Sequence, residues 1–197
     1  MIRNIWAVGR NYADHAKELG NQVPSAAGNP MIFLKAGSSA VIGGGEFQLP
    51  RFSEDVHHEC EITLRFGADL KFDALTVGID LTARDVQEKA KSQGHPWTLA
   101  KSFKAAALIG EFKPLPQNLD SLPFSLKVNG EVRQAGNTSD MIHSIEKLRQ
   151  YVVERFPVVP GDLLMTGTPK GVAALQPGDL LDAEIPGVVQ MTWRSRA

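Results

Sequence analysis

The sequence predicts an α+β, β-rich fold, and three observations carry the prediction. Seven short runs are apolar or alternate between apolar and polar residues, which is the spacing of strands. Helical spacing is confined to three stretches, inserted without the regular strand–helix alternation that a doubly wound sheet needs. Glycine and proline, 18 and 12 in number among 197 residues, cut the chain into short pieces.

Taken in order, the first strand covers residues 5–8. Asn11 then stands where it can cap a helix over 12–19, closed by Gly20. A strand at 31–34 follows, and Gly43-Gly44-Gly45 reads as a hairpin loop; it lacks the Lys-Ser/Thr of a phosphate loop. Strands at 61–66 and 75–80 precede a second helix over 83–92, with Thr82 as cap and Gly94 and Pro96 as stop signals. Asn129-Gly130 joins 124–128 to 131–134 as a hairpin. The third helix runs from 139 to about 156, because Met141, Ile142, Ile145, Leu148 and Val152 fall on one face. Strands at 162–166 and 188–193 complete the set, which fits one domain over 1–197.

Composition narrows the function. Lys and Arg number 21 against 22 Asp and Glu, a net charge of −1, so no basic excess points to nucleic acid. No apolar stretch approaches the ~20 residues of a membrane helix, and the first residues lack a signal-peptide core. Cys60 is the only cysteine, so no internal disulfide is possible, and a cytoplasmic location is the expectation.

The run Val56-His57-His58-Glu59-Cys60-Glu61-Ile62 opens a strand. Residues i and i+2 of a strand share a face, so Glu59 and Glu61 project together while Cys60 points into the core. Two such carboxylates repel unless a positive charge lies between them: a hard divalent cation, or a Lys or Arg paired with one while water solvates the other. Asp80 ends the apolar run Val77-Gly78-Ile79 just before the second helix. With Thr82 available as cap, Asp80 is free to be a third ligand, leaving about half of an octahedral Mg²⁺ shell for water and substrate.

Five ordered segments together resemble the fumarylacetoacetate hydrolase family. They are Ala7-Val8-Gly9-Arg10-Asn11-Tyr12-Ala13-Asp14-His15, His57-His58-Glu59-Cys60-Glu61, Asp80 through Gln87, Pro96 through Phe103, and Gly161 through Val172. The likeness is to short members described as acylpyruvate hydrolases and oxaloacetate decarboxylases. It implies a mixed β-sandwich roll, a homodimer, and a lid helix and loop over about 11–30. Two departures stand out. The segment between Glu61 and Asp80 lacks the longer insert such members carry, and Ala36 replaces the proline expected after Lys35.

The resemblance implies a divalent metal on Glu59, Glu61 and Asp80: Mg²⁺, with Mn²⁺ or Ca²⁺ as substitutes. It places Lys101 in the pocket beside a developing negative charge, and Arg10, Tyr12, Arg84, Gln87 and Thr168 around the substrate. His15 and Glu18, at i and i+3 on one helix face, form a His–carboxylate dyad for activating water. His57 and His58 read as supporting residues and Cys60 as core. The substrate is a small 2-oxo or 2,4-dioxo acid, whose carboxylate and ketone chelate one cation. Hydrolysis of an acylpyruvate and decarboxylation of oxaloacetate both yield pyruvate enolate. The alternatives are an isomerase or tautomerase on the same scaffold, and a metal-binding dimer without turnover.

Overall fold

A computed structural model describes residues 2–20 and 22–197. Two sheets dominate. The larger runs in the order Met31–Ala36, Asn4–Gly9, Leu163–Met165, Cys60–Phe66, Phe72–Asp80, Ala107–Ile109, Ala40–Ile42, with Lys113–Pro114 also paired to Phe72–Asp80. The smaller runs Glu131–Asn137, Pro123–Val128, Leu180–Ile185, Val189–Arg196, Gly45–Gln48. Three short strands, Ala173–Ala174, Val56–His58 and Thr82–Ala83, make a third patch. Four α-helices complete the described residues: α1 (Ala13–Glu18), α2 (Arg84–Ser92), α3 (Thr98–Lys101) and α4 (Ile145–Arg155). The β-rich reading therefore holds.

Alternation decides which face is buried. Cys60, Ile62, Leu64, Leu75, Val77 and Ile79 point from the large sheet into a core shared with Leu126, Leu181, Ala183 and Trp193 of the smaller one. Farther along the same face, Trp6, Val8 and Leu164 pack under Leu148 and Val152 of α4, Leu164 lying in register with Leu64. Asp162 fastens the edge of this region: its carboxylate accepts from Asn4 N and Nδ2, Trp6 Nε1 and Val159 N at 3.0–3.2 Å.

Several expected boundaries move, each because a tertiary partner takes the group that local reasoning assigned. α1 has no side-chain cap; Asn11 instead donates to the carbonyls of His143 and Thr166 and accepts from His143 N. Thr82 does not cap α2 either, because its hydroxyl accepts from Lys101. The third predicted helix begins six residues late: Ser144 caps α4 at Lys147 N, a 3-10 turn covers Thr138–Asp140, and Met141 bridges to Tyr12. Gly43-Gly44-Gly45 is no hairpin, since its flanking strands belong to different sheets. The hairpin at Asn129-Gly130 forms as predicted, with a bulge at Leu126/Lys127.

Candidate metal and substrate site

Register brings the three acids together. The strands Cys60–Phe66 and Phe72–Asp80 are the arms of one antiparallel hairpin, with Cys60 opposite Ile79 and Glu61 opposite Gly78. Asp80 N donates to Glu59 O at 2.8 Å, so Glu59 and Asp80 face each other at the open end. All three side chains leave the face opposite the shared core. Gly78 keeps the spot beside Glu61 clear, since a Cβ there would lie 2.5 Å from Thr63 Oγ1. One oxygen from each of Glu59, Glu61 and Asp80 falls within a 4.8 Å cluster. Oxygens around an ion with bonds of ~2.1 Å lie roughly 3–4 Å apart, so small side-chain turns would close this set on a cation.

The electrostatics favour a cation at Glu61. Glu59 and Asp80 are already paired, Glu59 with Arg84 and with Lys101 at 2.8 Å, Asp80 with Lys35 at 2.5 Å and Lys101 at 2.8 Å. Although burial pushes Glu59 upward, Lys101 and Arg84 hold it well below the usual carboxylate range. Among the described residues Glu61 has no basic partner within ion-pair distance, and its one hydrogen bond is accepted from Gly167 N at 2.7 Å. Burial first, then repulsion by Asp80 and Glu59, raises it well above that range. An all-oxygen donor set with one uncompensated buried carboxylate fits a hard divalent ion.

The other predicted residues distribute as follows. His15, Arg10, Arg84, Gln87, Lys101 and Thr168 line one cavity with Glu59 and Glu61. Arg10 adopts a left-handed φ of 59° where the strand Asn4–Gly9 turns into α1. His15 Nδ1 lies 3.4 Å from Glu18 Oε2, and burial depresses the imidazole while Glu59 and Glu18 act to raise it. Glu18 also accepts from Gly171 N at 2.9 Å, fastening α1 to the loop that carries Gly167. Arg84 bridges Glu59 to Gln87 Oε1, the latter at 2.8 Å. Asn21, within the expected lid, lies outside the described residues.

Two predicted substrate contacts sit differently. Tyr12 lies in the main core, edge-on to Phe124, and borders a neighbouring cavity with Asp14 and Lys170. The Thr168 hydroxyl is committed to the wall, donating to Cys60 O at 2.8 Å and accepting from Gln134 Nε2 at 2.7 Å. His58 supports the strand of Glu59 and Glu61 through Gln134, whose Oε1 also accepts from Cys60 N.

Sequence reasoning missed Lys35 and Lys91. Lys35 is fully buried beneath Asp80, and Lys91 lines the cavity with its ammonium 5.3 Å from the Trp97 ring centre. A lysine inside the apolar strand Met31–Ala36 was itself the signal for Lys35, since a buried ammonium requires an acidic partner. Gly167, at φ 96°, brings its N–H to Glu61 with its Cα against Asn11, where a Cβ would approach to 2.8 Å.

Residues 4–194 match the family profile described as fumarylacetoacetate (FAA) hydrolase C-terminal. The mitochondrial oxaloacetate tautomerase of Rattus norvegicus is 41% identical over 204 residues, covering 98% of this chain and 91% of that one. The mitochondrial oxaloacetate decarboxylase of Dictyostelium discoideum is 39% identical, covering 94% and 90%. Among solved structures, fumarylpyruvate hydrolase from Pseudomonas aeruginosa, crystallised with Mn²⁺ and pyruvate, superposes with a TM-score of 0.92 at 31% identity over 99% of this chain and 90% of that one. With the fold, the acidic cluster and these likenesses in agreement, the chain belongs to the fumarylacetoacetate hydrolase family.

Proposed function

We propose that this protein is a divalent-metal-dependent enzyme that converts a small 2-oxo acid, oxaloacetate or an acylpyruvate, through its enolate. The observation that carries the reading is the buried cluster of Glu59, Glu61 and Asp80, of which Glu59 and Glu61 line a cavity together with His15. Mg²⁺ or Mn²⁺ in that cluster would act as a Lewis acid toward the oxygens of the 2-oxo acid. Its ligands would be Glu59, Glu61 and Asp80.

The chain supplies the rest. Arg10, Lys91 and Lys101 give the cavity positive walls that draw in an anionic substrate. Gln87 and Arg84 hold the carbonyl end by hydrogen bonds, with Arg84 itself oriented by Glu59. His15, kept neutral by burial, accepts a proton at its free Nε2, and Glu18 fixes the tautomer from the Nδ1 side. If that proton comes from water, the attack breaks a C–C bond. If it is instead moved between the carbon next to the ketone and the ketone oxygen, the outcome is keto–enol exchange. The likeness to an oxaloacetate tautomerase supports the second course, so tautomerisation is the alternative to cleavage.

The test is incubation of the Mn²⁺- or Mg²⁺-loaded protein with oxaloacetate and with acetylpyruvate, followed by proton NMR. New pyruvate identifies cleavage; a faster enol–keto exchange without pyruvate identifies tautomerisation. Loss of both activities in EDTA is expected, and full activity in EDTA would refute the metal-dependent reading.

A further inference from the structure

Lys101 stands where a cation belongs. Its ammonium donates to Glu59 Oε2 and Asp80 Oδ2, each at 2.8 Å, and to Thr82 Oγ1 at 2.6 Å. The second oxygens of both acids are taken: Glu59 Oε1 accepts from Arg84, and Asp80 Oδ1 from Lys35. A divalent ion that reaches the three acids therefore contends with Lys101 for Glu59 Oε2 and Asp80 Oδ2. Sharing both oxygens would hold two cations roughly 4 Å apart in a buried site, where like charges are poorly screened.

The two buried lysines differ in freedom. Lys35 lies wholly beneath Asp80, with its ammonium also donating to Leu81 O at 3.3 Å. Lys101 closes the four-residue helix α3, lines the cavity, and crosses the face of Phe33 with its ammonium 4.9 Å from the ring centre. Arg10 and Gln87 line the same cavity as Lys101, so its long side chain has an unburied direction in which to turn, away from the acids.

We infer that Lys101 is the resident counter-ion of the carboxylate cluster and that it exchanges with the divalent ion. Without metal, it neutralises Glu59 and Asp80. With metal, Lys101 yields those oxygens and presents a freed ammonium to the substrate anion. Metal loading and substrate capture are thereby coupled through one side chain, a role beyond simple charge in the pocket. The inference rests on the metal-dependent reading above.

The experiment is calorimetric titration of the full chain with Mn²⁺ alone, at fixed pH and ionic strength, for wild type, Lys101→Met and Lys91→Met. Lys91 lines the same cavity but pairs with none of the three acids, so its replacement reports through-space charge alone. Lys101→Met should bind Mn²⁺ at least tenfold more tightly than wild type, and Lys91→Met should differ by less than threefold. Oxalate affinity of the Mn²⁺-loaded Lys101→Met protein should fall at least tenfold. Equal or weaker Mn²⁺ binding by Lys101→Met, or an equal gain in Lys91→Met, overturns the exchange. If wild type binds no Mn²⁺, the metal-dependent reading itself fails, a result distinct from equal binding by all three. Should Lys101→Met not fold, crystals of wild type soaked in Mn²⁺ decide the matter: the exchange requires Lys101 Nζ to have left hydrogen-bond distance of Asp80 Oδ2, and retention there refutes it.

Discussion

Replacing Lys35 with methionine isolates the buried ion pair beneath the site. The Lys35 and Asp80 side chains are both 0% exposed, and the ammonium also serves the Leu81 carbonyl. Methionine reproduces most of the aliphatic stem, so the packing loss is small and the charge loss dominates. Removing one partner of a buried pair typically costs about 3–5 kcal/mol, because the remaining charge is left uncompensated. Lys101 still holds Asp80 Oδ2, which places the expectation at the lower end, about 3 kcal/mol. For a chain of this size that corresponds to roughly 6–12 °C in Tm. The assay is urea unfolding in EDTA, reading a lower midpoint at unchanged slope. Added Mn²⁺ should shrink the deficit, since a cation on Asp80 replaces part of the missing charge. A loss under about 1 kcal/mol in EDTA would refute the idea that Lys35 is what makes a fully buried Asp80 tolerable.

Four further outcomes follow from the same geometry. His15→Ala should lower kcat by about 10²–10⁴ with Mn²⁺ affinity unchanged, because His15 touches none of the three acids; wild-type rates in the variant would remove it from the proton path. Burial lowers the His15 pKa, so the wild-type base should remain active below the usual imidazole midpoint of ~6.5, as a pH–rate profile would show. Glu61 is raised when folded, so the folded state binds its proton more tightly than the unfolded chain; in EDTA stability should fall as pH rises from the ordinary carboxylate range toward the raised value. Glu61→Gln should abolish that slope, gain about 1 kcal/mol or more at neutral pH in EDTA, and lose the thermal shift on adding Mn²⁺; a steeper slope would contradict the assignment. Asp162→Ala strands the buried Trp6 indole N–H and removes four acceptor contacts, so urea unfolding should register a loss of about 3–4 kcal/mol with metal affinity intact.

Much of this was legible in the chain, and the pattern of what was not is instructive. Alternation alone put Glu59 and Glu61 on one face with Cys60 in the core, and the structure agrees. That Asp80 joins them depends on hairpin register, which no local spacing encodes. Arg84, Gln87 and Lys101 came to the cavity by family resemblance, since a lysine or arginine reads the same in sequence whether solvated or buried. The misplaced caps share one cause. Asn11 and Thr82 precede helices as caps do, but His143, Thr166 and Lys101, all distant in sequence, compete successfully for their side chains. Tyr12 matched a family segment, but its ring faces Phe124, because the short α1 turns its aromatic start inward.

The tight turn over 67–71, closed by Gly67 N to Lys71 O, has a consequence for how the protein is made. It lets two adjacent strands zip without a long search, so Glu59, Glu61 and Asp80 meet early, as neighbours in a nascent ribbon. The basic side chain of α3 and the N–H of Gly167 arrive only with later segments of chain. Lys35, made before the ribbon, and Arg84, made just after it, are the first positive charges able to hold its open end shut, through Asp80 and Glu59. The acids and two of their three internal counter-charges therefore lie within one contiguous stretch of chain, residues 35–84.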